Sequence, residues 1–292
     1  MKTNTGKWML FVLPVILTFL IMLPRLLYPN FGLLDDGTMF ARAQETLSGD
    51  FSMPFDIGAG RFRPVTGIIN AINYLIGRYN PFWYFINMAL VFLAIQVLIV
   101  IVMKEIKIPI PGIILSIICF ALGGTIVESF FTLSKHETIQ ALWIMLSLLF
   151  LVLFYKKEKN KPRFYFLVLS SLFASLAFLT KETTFAMLLI AGGWWMLTII
   201  MKSEFSTKFR KTTFIYLVIV GIGVILYFGL RKLTPTAEIA SGTYSTNYSF
   251  AIRGILSNTL RWMHLLLHYF PYLIPALFGG SIFLLGQWKK EL

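Results

Sequence analysis

The chain has 292 residues, of which 57% are hydrophobic and 16% aromatic, and its mean hydropathy is +0.76. This composition excludes an ordinary soluble domain and is typical of a protein that crosses a membrane several times. The net charge of +13 is carried in short basic runs between apolar segments. That pattern encodes membrane topology and argues against nucleic acid as a partner. The single cysteine, Cys119, excludes a disulfide within the chain.

Eight apolar stretches are long enough to cross about 30 Å of hydrocarbon as helices. In chain order they are residues 8–27, 82–103, 111–127, 138–155, 164–180, 184–201, 213–229 and 270–288. We therefore predict an all-α fold, a polytopic membrane helix bundle of about eight spans that forms a single transmembrane domain over residues 1–292. The first stretch is not expected to be a cleaved signal peptide, because no small-residue cleavage site follows it.

Basic residues cluster in the loops on one side of these spans. Fifteen of the 26 Lys and Arg residues, but only four of the 13 acids, fall in residues 1–7, 104–110, 156–163, 202–212 and 289–292. The positive-inside rule places that side, and the N-terminus, in the cytoplasm. Most of the remaining acids are then predicted to face outward: Asp35, Asp36, Asp50, Asp56, Glu128, Glu137 and Glu182.

Residues 31–80 are predicted to form one outer loop that carries surface helices. The stretch 64–77 is apolar enough to be a ninth span, but a crossing there would place every later basic run outside. Its apolar residues share one helical face and its polar residues the other, which indicates an interfacial helix. The stretch 39–47 has a weaker pattern of the same kind, and Asp36 is a candidate cap for its first turn.

A second outer loop, residues 230–269, is predicted to contain an amphipathic helix over 256–269. Within it Arg261, His264 and His268 follow one another at helical spacing and form a polar stripe. Two histidines four residues apart can reach one metal ion, but no acidic or cysteine ligand lies nearby in the sequence. We therefore interpret this stripe as interfacial and predict no metal site.

Four short motifs occur in a fixed order along the chain. They are LLDDGTMF at 33–40, RPVT at 63–66 with GRYNPF at 77–82, TIVES at 125–129 and KET at 181–183. In this order they resemble the GT-C superfamily of glycosyltransferases, which use polyprenyl-phosphate sugars. The likeness is strongest to the TPR-carrying transmembrane O-mannosyltransferases and their bacterial relatives. Members usually continue with more spans, so the resemblance leaves open a C-terminally shortened form and a fragment of a longer chain. We expect the protein in a bacterial plasma membrane.

The resemblance implies a site on the outer face of the membrane. It implies that Asp35 is the general base and that Asp36 orients it or caps a helix. Chain geometry alone leaves open which of the two aspartates is the base. The implied donor is a polyprenyl-phosphate-linked sugar, and the acceptor is a glycan, lipid or protein. We expect further site residues to bind the donor phosphate (Arg61, Arg63 and Lys181) or to line the site (Glu128, His136, Glu182, Arg261 and His264).

The chemistry of sugar transfer to a hydroxyl requires the same residue types. Transfer to a hydroxyl needs a base for its proton and positive charge for the departing phosphate. A carboxylate with a like-charged neighbour can serve as base, and Arg or Lys can bind the phosphate. Direct displacement at the anomeric carbon inverts its configuration. No cofactor is predicted, because a monophosphate held by cations needs no metal; a divalent ion would be expected only for a diphosphate donor.

Simpler interpretations stay open for each residue. The Asp pair can cap and solubilise a loop, Arg61 and Arg63 can extend toward lipid headgroups, and Lys181 with Glu182 can be a helix-end ion pair. Two other functional classes also stay open. A lipid-linked glycan polymerase or ligase would use outward basic residues, and a lipid or glycan transporter would need charges or broken helices at mid-membrane.

Overall fold

The computed structural model describes residues 5–32, 36–50, 62–156, 164–200, 204–233, 260, 261, 264 and 268. The structure is 87% helical, with no strand among the described residues, which confirms the predicted all-α class. Packing divides the chain into two compact units, residues 1–122 with 126–240, and residues 123–125 with 241–292. The single transmembrane domain stays a prediction. In the second unit, residues 260, 261, 264 and 268 are helical and exposed.

Ten α-helices are described outside residues 260–268. They are α1 (Thr5–Leu27), α2 (Asp36–Ser48), α3 (Pro64–Gly77), α4 (Pro81–Glu105), α5 (Ile110–Ala121), α6 (Gly124–Phe131), α7 (Glu137–Lys156), α8 (Phe164–Thr180), α9 (Ala186–Ile200) and α10 (Glu204–Leu233). A short 3₁₀ helix, Glu182–Phe185, joins the end of α8 to α9.

Four described segments are long and apolar enough to cross a membrane. They are Trp8–Leu27, Pro81–Glu105, Glu137–Phe154 and Thr213–Lys232. They correspond to the first, second, fourth and seventh predicted spans and support a membrane protein. Helices α5 and α8 are apolar but shorter, with 12 and 17 residues. The predicted span at 270–288 lies outside the described residues, so the count of about eight stays a prediction.

The helix expected over residues 111–127 is interrupted. Helix α5 ends at Ala121 and α6 begins at Gly124, with the Leu122 N–H donating to the Ile118 carbonyl at 2.9 Å. Glycine is a poor helix former because its backbone loses the most conformational freedom, so the Gly123–Gly124 pair is a natural breaking point. The expected span at 184–201 also begins later, with α9, because the 3₁₀ helix precedes it.

Helices α1 and α4 pack antiparallel in the first unit. The Gln96 amide donates to the Thr18 hydroxyl at 2.8 Å in their buried interface. The guanidinium carbon of Arg25, near the end of α1, lies 5.4 Å from the centre of the Phe85 ring, near the start of α4. At the opposite end, the Lys104 ammonium lies 5.3 Å from the centre of the Phe11 ring. The basic end of α4 therefore lies beside the start of α1, as the predicted topology requires.

Small residues allow α7, α8 and α10 to approach closely. The Ser147 and Ser170 hydroxyls each donate to the other residue's carbonyl, at 2.9 and 2.8 Å, between α7 and α8. Such pairs satisfy polar groups between helices in an apolar surrounding. A Cβ at Gly223 of α10 would lie 2.7 Å from the ring of Phe178, which is fully buried on α8. Glycine at position 223 is thus a requirement of packing.

Helix α3 has the predicted bounds, and its length argues against a crossing. Fourteen residues span about 21 Å, which is less than the hydrocarbon thickness. Its polar side chains Thr66 and Asn70 are buried against the protein, while Ile68, Ile72 and Ile76 are exposed. An exposed apolar face suits a helix that contacts lipid at the membrane surface. The outer loop over residues 31–80 stays a prediction.

Candidate functional site around His136

Three chain segments meet at one end of the first unit: the start of α3, the start of α7 and the link from α8 to the 3₁₀ helix. The Thr66 hydroxyl of α3 donates to the Thr180 carbonyl at the end of α8, at 2.9 Å. The amide of Gln140, on α7, donates to the Lys181 carbonyl at 3.0 Å and to the Thr184 hydroxyl at 2.5 Å. These buried bonds fix the three segments against one another.

His136 lies immediately before α7, where the charges of these segments converge. Burial, together with the positive charges of Arg63, Lys181 and Arg42, lowers the pKa of its imidazole to about 3 against the opposing effect of Glu137. The ring keeps a little accessible surface, but the protein atoms packed around it dominate its environment. In the described part of the chain, three cations and one carboxylate act on this ring. His136 is therefore neutral at physiological pH and lies in a positive potential.

Lys181 forms an ion pair with Glu137, the first residue of α7. The lysine side chain is 18% exposed and the glutamate is more open to solvent. The second carboxylate oxygen of Glu137, Oε2, is buried and accepts no hydrogen bond in the described structure. A buried acceptor without a donor is costly, so this oxygen is a natural partner for a ligand hydroxyl or a bound water.

Arg63 and Arg42 are brought to the site by α3 and α2. Arg63 precedes the proline that starts α3 and is only 6% exposed, so it faces the protein and not the headgroups. Arg42 lies on α2, which packs against α3. The Gln44 amide donates to the hydroxyls of Tyr74 and Tyr79, both at 2.9 Å, and so joins α2 to the far end of α3.

Asp36 is the first residue of α2 and is buried. Its Oδ2 atom accepts a hydrogen bond from the Gly32 N–H at 2.5 Å, a residue that precedes the helix. This bond fixes the incoming chain against α2, and the expected bonds to first-turn amides stay a prediction. Arg42 is six residues further along α2, a rise of about 9 Å along the helix. Asp35, the expected base, lies outside the described residues.

The other expected site residues are placed as follows. Arg63 and Lys181 are close enough for their charges to act on His136; that these residues form a functional site stays a prediction. Glu128 is exposed on α6, and no described contact joins its carboxylate to this cluster. Arg61 lies outside the described residues, as does the side chain of Glu182.

Arg261 and His264, also expected at the site, belong to the second unit. Both are helical and exposed, and the rings of His264 and His268 lie 6.5 Å apart between centres. Among the described residues, no group of three or more His, Cys, Asp and Glu side chains could hold a metal ion.

Sequence reasoning missed three members of the cluster: Arg42, Glu137 and Gln140. Glu137 could have been predicted from the sequence, because it follows His136 directly in the segment KHET, which resembles KET at 181–183. Arg42 and Gln140 could not have been predicted in this way, because their positions depend on helix packing and not on a sequence motif. No protein family, no curated protein and no solved structure matches the chain.

Proposed function

We propose that this protein is a GT-C-like membrane glycosyltransferase that moves a sugar from a polyprenyl-phosphate donor to an acceptor hydroxyl. One observation carries the proposal: Arg42, Arg63 and Lys181 converge on a neutral histidine, His136. A positive site of this kind suits a phosphate that gains charge as the sugar leaves. It lies at the end of the first unit where lipid-exposed helices begin, which suits a donor with an isoprenoid tail.

Each cluster member has a role suited to its chemistry. Arg63 is planar and held by its surroundings, which favours two-pronged binding of phosphate oxygens. Lys181 is kept in position by Glu137 and supplies a second charge. His136, being neutral, donates one hydrogen bond to the phosphate without acting as a base, because an imidazole with a pKa of about 3 holds a proton poorly. The unpaired Glu137 oxygen accepts from a sugar hydroxyl.

Asp35 is assigned as the base on the family resemblance and on its position beside Asp36. Asp36, the next residue in the chain, is buried and accepts a hydrogen bond from the Gly32 N–H. Asp35 takes the proton of the acceptor hydroxyl as the hydroxyl oxygen attacks the anomeric carbon. The bond from that carbon to the phosphate oxygen breaks, and polyprenyl phosphate leaves toward Arg63 and Lys181. A single displacement inverts the anomeric configuration.

The membrane orientation follows from the positive-inside rule and about eight spans. Helix α7 runs from His136 to the basic residues after Lys156, and α8 returns to Lys181. The cluster is thus at the opposite end of these helices from the basic loop 156–163, which the rule assigns to the cytoplasm. We place the site on the outer face of a bacterial plasma membrane.

Binding of undecaprenyl phosphate, the leaving group, tests the proposal. Purified protein in detergent is titrated with this lipid, and bound lipid is counted by native mass spectrometry. Arg63→Gln should weaken binding about 10- to 100-fold, because a charge-assisted hydrogen bond contributes roughly 1.5–3 kcal/mol. Arg78→Gln, at the other end of α3, is the matched control and should bind as the wild type does. Equal affinity in the Arg63 variant and the control would contradict a phosphate site here.

A further inference from the structure

A pocket with a volume of about 520 Å³ lies between the end of α9 and the start of α10. It is lined by Trp195, Ile199, Arg210, Lys211 and Phe214. Helix α9 leads to it from the 3₁₀ helix beside Lys181, and its 15 residues span about 22 Å. The pocket is therefore at the opposite end of α9 from the His136 cluster and is not part of the proposed active site.

The lining of this pocket is divided into an apolar wall and a charged rim. Ile199 and Phe214 are exposed, and the Phe214 ring lies 5.9 Å from that of Trp195, which is half-buried. Arg210 and Lys211 are exposed side by side on α10. A volume near 500 Å³ is within the range of small-molecule sites.

The position of the pocket in the membrane determines what can fill it. The candidate span of α10 begins at Thr213, two residues after Lys211. The two cations therefore lie at the membrane–water boundary, and the apolar wall continues into the hydrocarbon. Tryptophan favours the same boundary. The boundary belongs to the predicted cytoplasmic side, where negatively charged lipids bind basic residues next to spans.

We propose that this pocket binds an anionic phospholipid of the inner leaflet. The lipid phosphate lies between Arg210 and Lys211, and the upper part of one acyl chain lies along Ile199 and Phe214. A free phosphate ion would leave the apolar wall uncovered, and a phospholipid with a cationic headgroup would bring its positive charge against the rim. Only a ligand with a net negative head and an apolar tail satisfies both parts of the lining.

Native mass spectrometry with phosphatidylglycerol tests this assignment. The double variant Arg210→Gln/Lys211→Gln should bind phosphatidylglycerol about 30-fold more weakly than the wild type, from the usual contribution of two basic residues at a membrane surface. Lys104→Gln/Lys107→Gln removes the same charge from another loop on the same predicted side. This matched control should retain wild-type affinity, and phosphatidylcholine should bind weakly to all three proteins.

Three results would overturn the proposal. Equal phosphatidylglycerol binding by the pocket variant and the wild type would show that Arg210 and Lys211 do not bind the lipid phosphate. Equal binding of phosphatidylcholine by the wild type would remove the preference for an anionic head, and displacement of the lipid by millimolar inorganic phosphate would indicate a plain anion site. Ile199→Trp fills the apolar wall and keeps both charges, so it should also weaken lipid binding; it keeps the test valid if the double variant fails to fold.

Discussion

The environment of the His136 ring should make the stability of the protein depend on pH. In the folded protein its pKa is about 3, whereas an unfolded chain gives histidine a pKa near 6.5. The pKa of His136 is lower in the folded state than in the unfolded state. The contribution of this histidine to the free energy of unfolding is therefore fully present above about pH 6.5 and is lost as the pH falls toward 3. At pH 5.5 the unfolded state takes up a proton that the folded state refuses, which lowers the free energy of unfolding by about 1.4 kcal/mol relative to pH 7.5.

The assay is denaturant unfolding in detergent at pH 7.5 and pH 5.5, followed by tryptophan fluorescence. In His136→Asn this proton uptake is absent. Between pH 7.5 and pH 5.5 its free energy of unfolding should therefore fall by about 1.4 kcal/mol less than that of the wild type. His264→Asn replaces an exposed histidine of the second unit and serves as the control variant. Arg63→Gln should restore part of the basicity of His136 and so reduce the loss. Identical pH dependence of the wild type and His136→Asn would refute a buried, neutral histidine among cations.

Three further predictions concern turnover, packing and topology. Asp35→Asn should lower sugar transfer about 100- to 10,000-fold while undecaprenyl phosphate binding is kept, measured as the rate and the affinity of the same preparation. Gly223→Ala should lower the unfolding free energy by about 1–3 kcal/mol because the new Cβ meets Phe178, whereas Gly221→Ala has nothing within 4 Å and should not; equal melting temperatures would refute this contact. A cysteine at Arg78, in a Cys119→Ser background, should react with an impermeant maleimide from outside the cell, and labelling only from the cytoplasm would overturn the topology.

Periodicity and charge were enough to predict much of the fold. Long apolar runs gave α1, α4 and α7 within a few residues, because a span is defined by composition over a length that the bilayer sets. The proline after Arg63 and the helical pattern behind it gave the bounds of α3. The break after Ala121 was missed, because a hydrophobic count treats glycine as neutral and does not register its backbone entropy.

Part of the candidate site could be predicted from where its residues lie relative to the helix ends. Arg63, His136 and Lys181 each lie next to a helix end, and the predicted topology places all three at one surface. Gln140 and Arg42 are placed by side-chain contacts between helices, and a single sequence contains no record of such pairing. The Lys181–Glu137 ion pair was missed for the same reason, because an ion pair between helices depends on their packing.

The His136 cluster is proposed to hold the phosphate of a lipid-linked sugar during transfer. The most direct measurement follows release of radiolabelled sugar from polyprenyl-phosphate mannose and polyprenyl-phosphate glucose by the reconstituted protein, with a bacterial membrane extract as the source of acceptors. We predict transfer from one of these donors, its loss in Asp35→Asn, and a raised KM for the donor in Arg63→Gln. No transfer from either donor by the wild type, or equal rates in the wild type and both variants, would contradict the account.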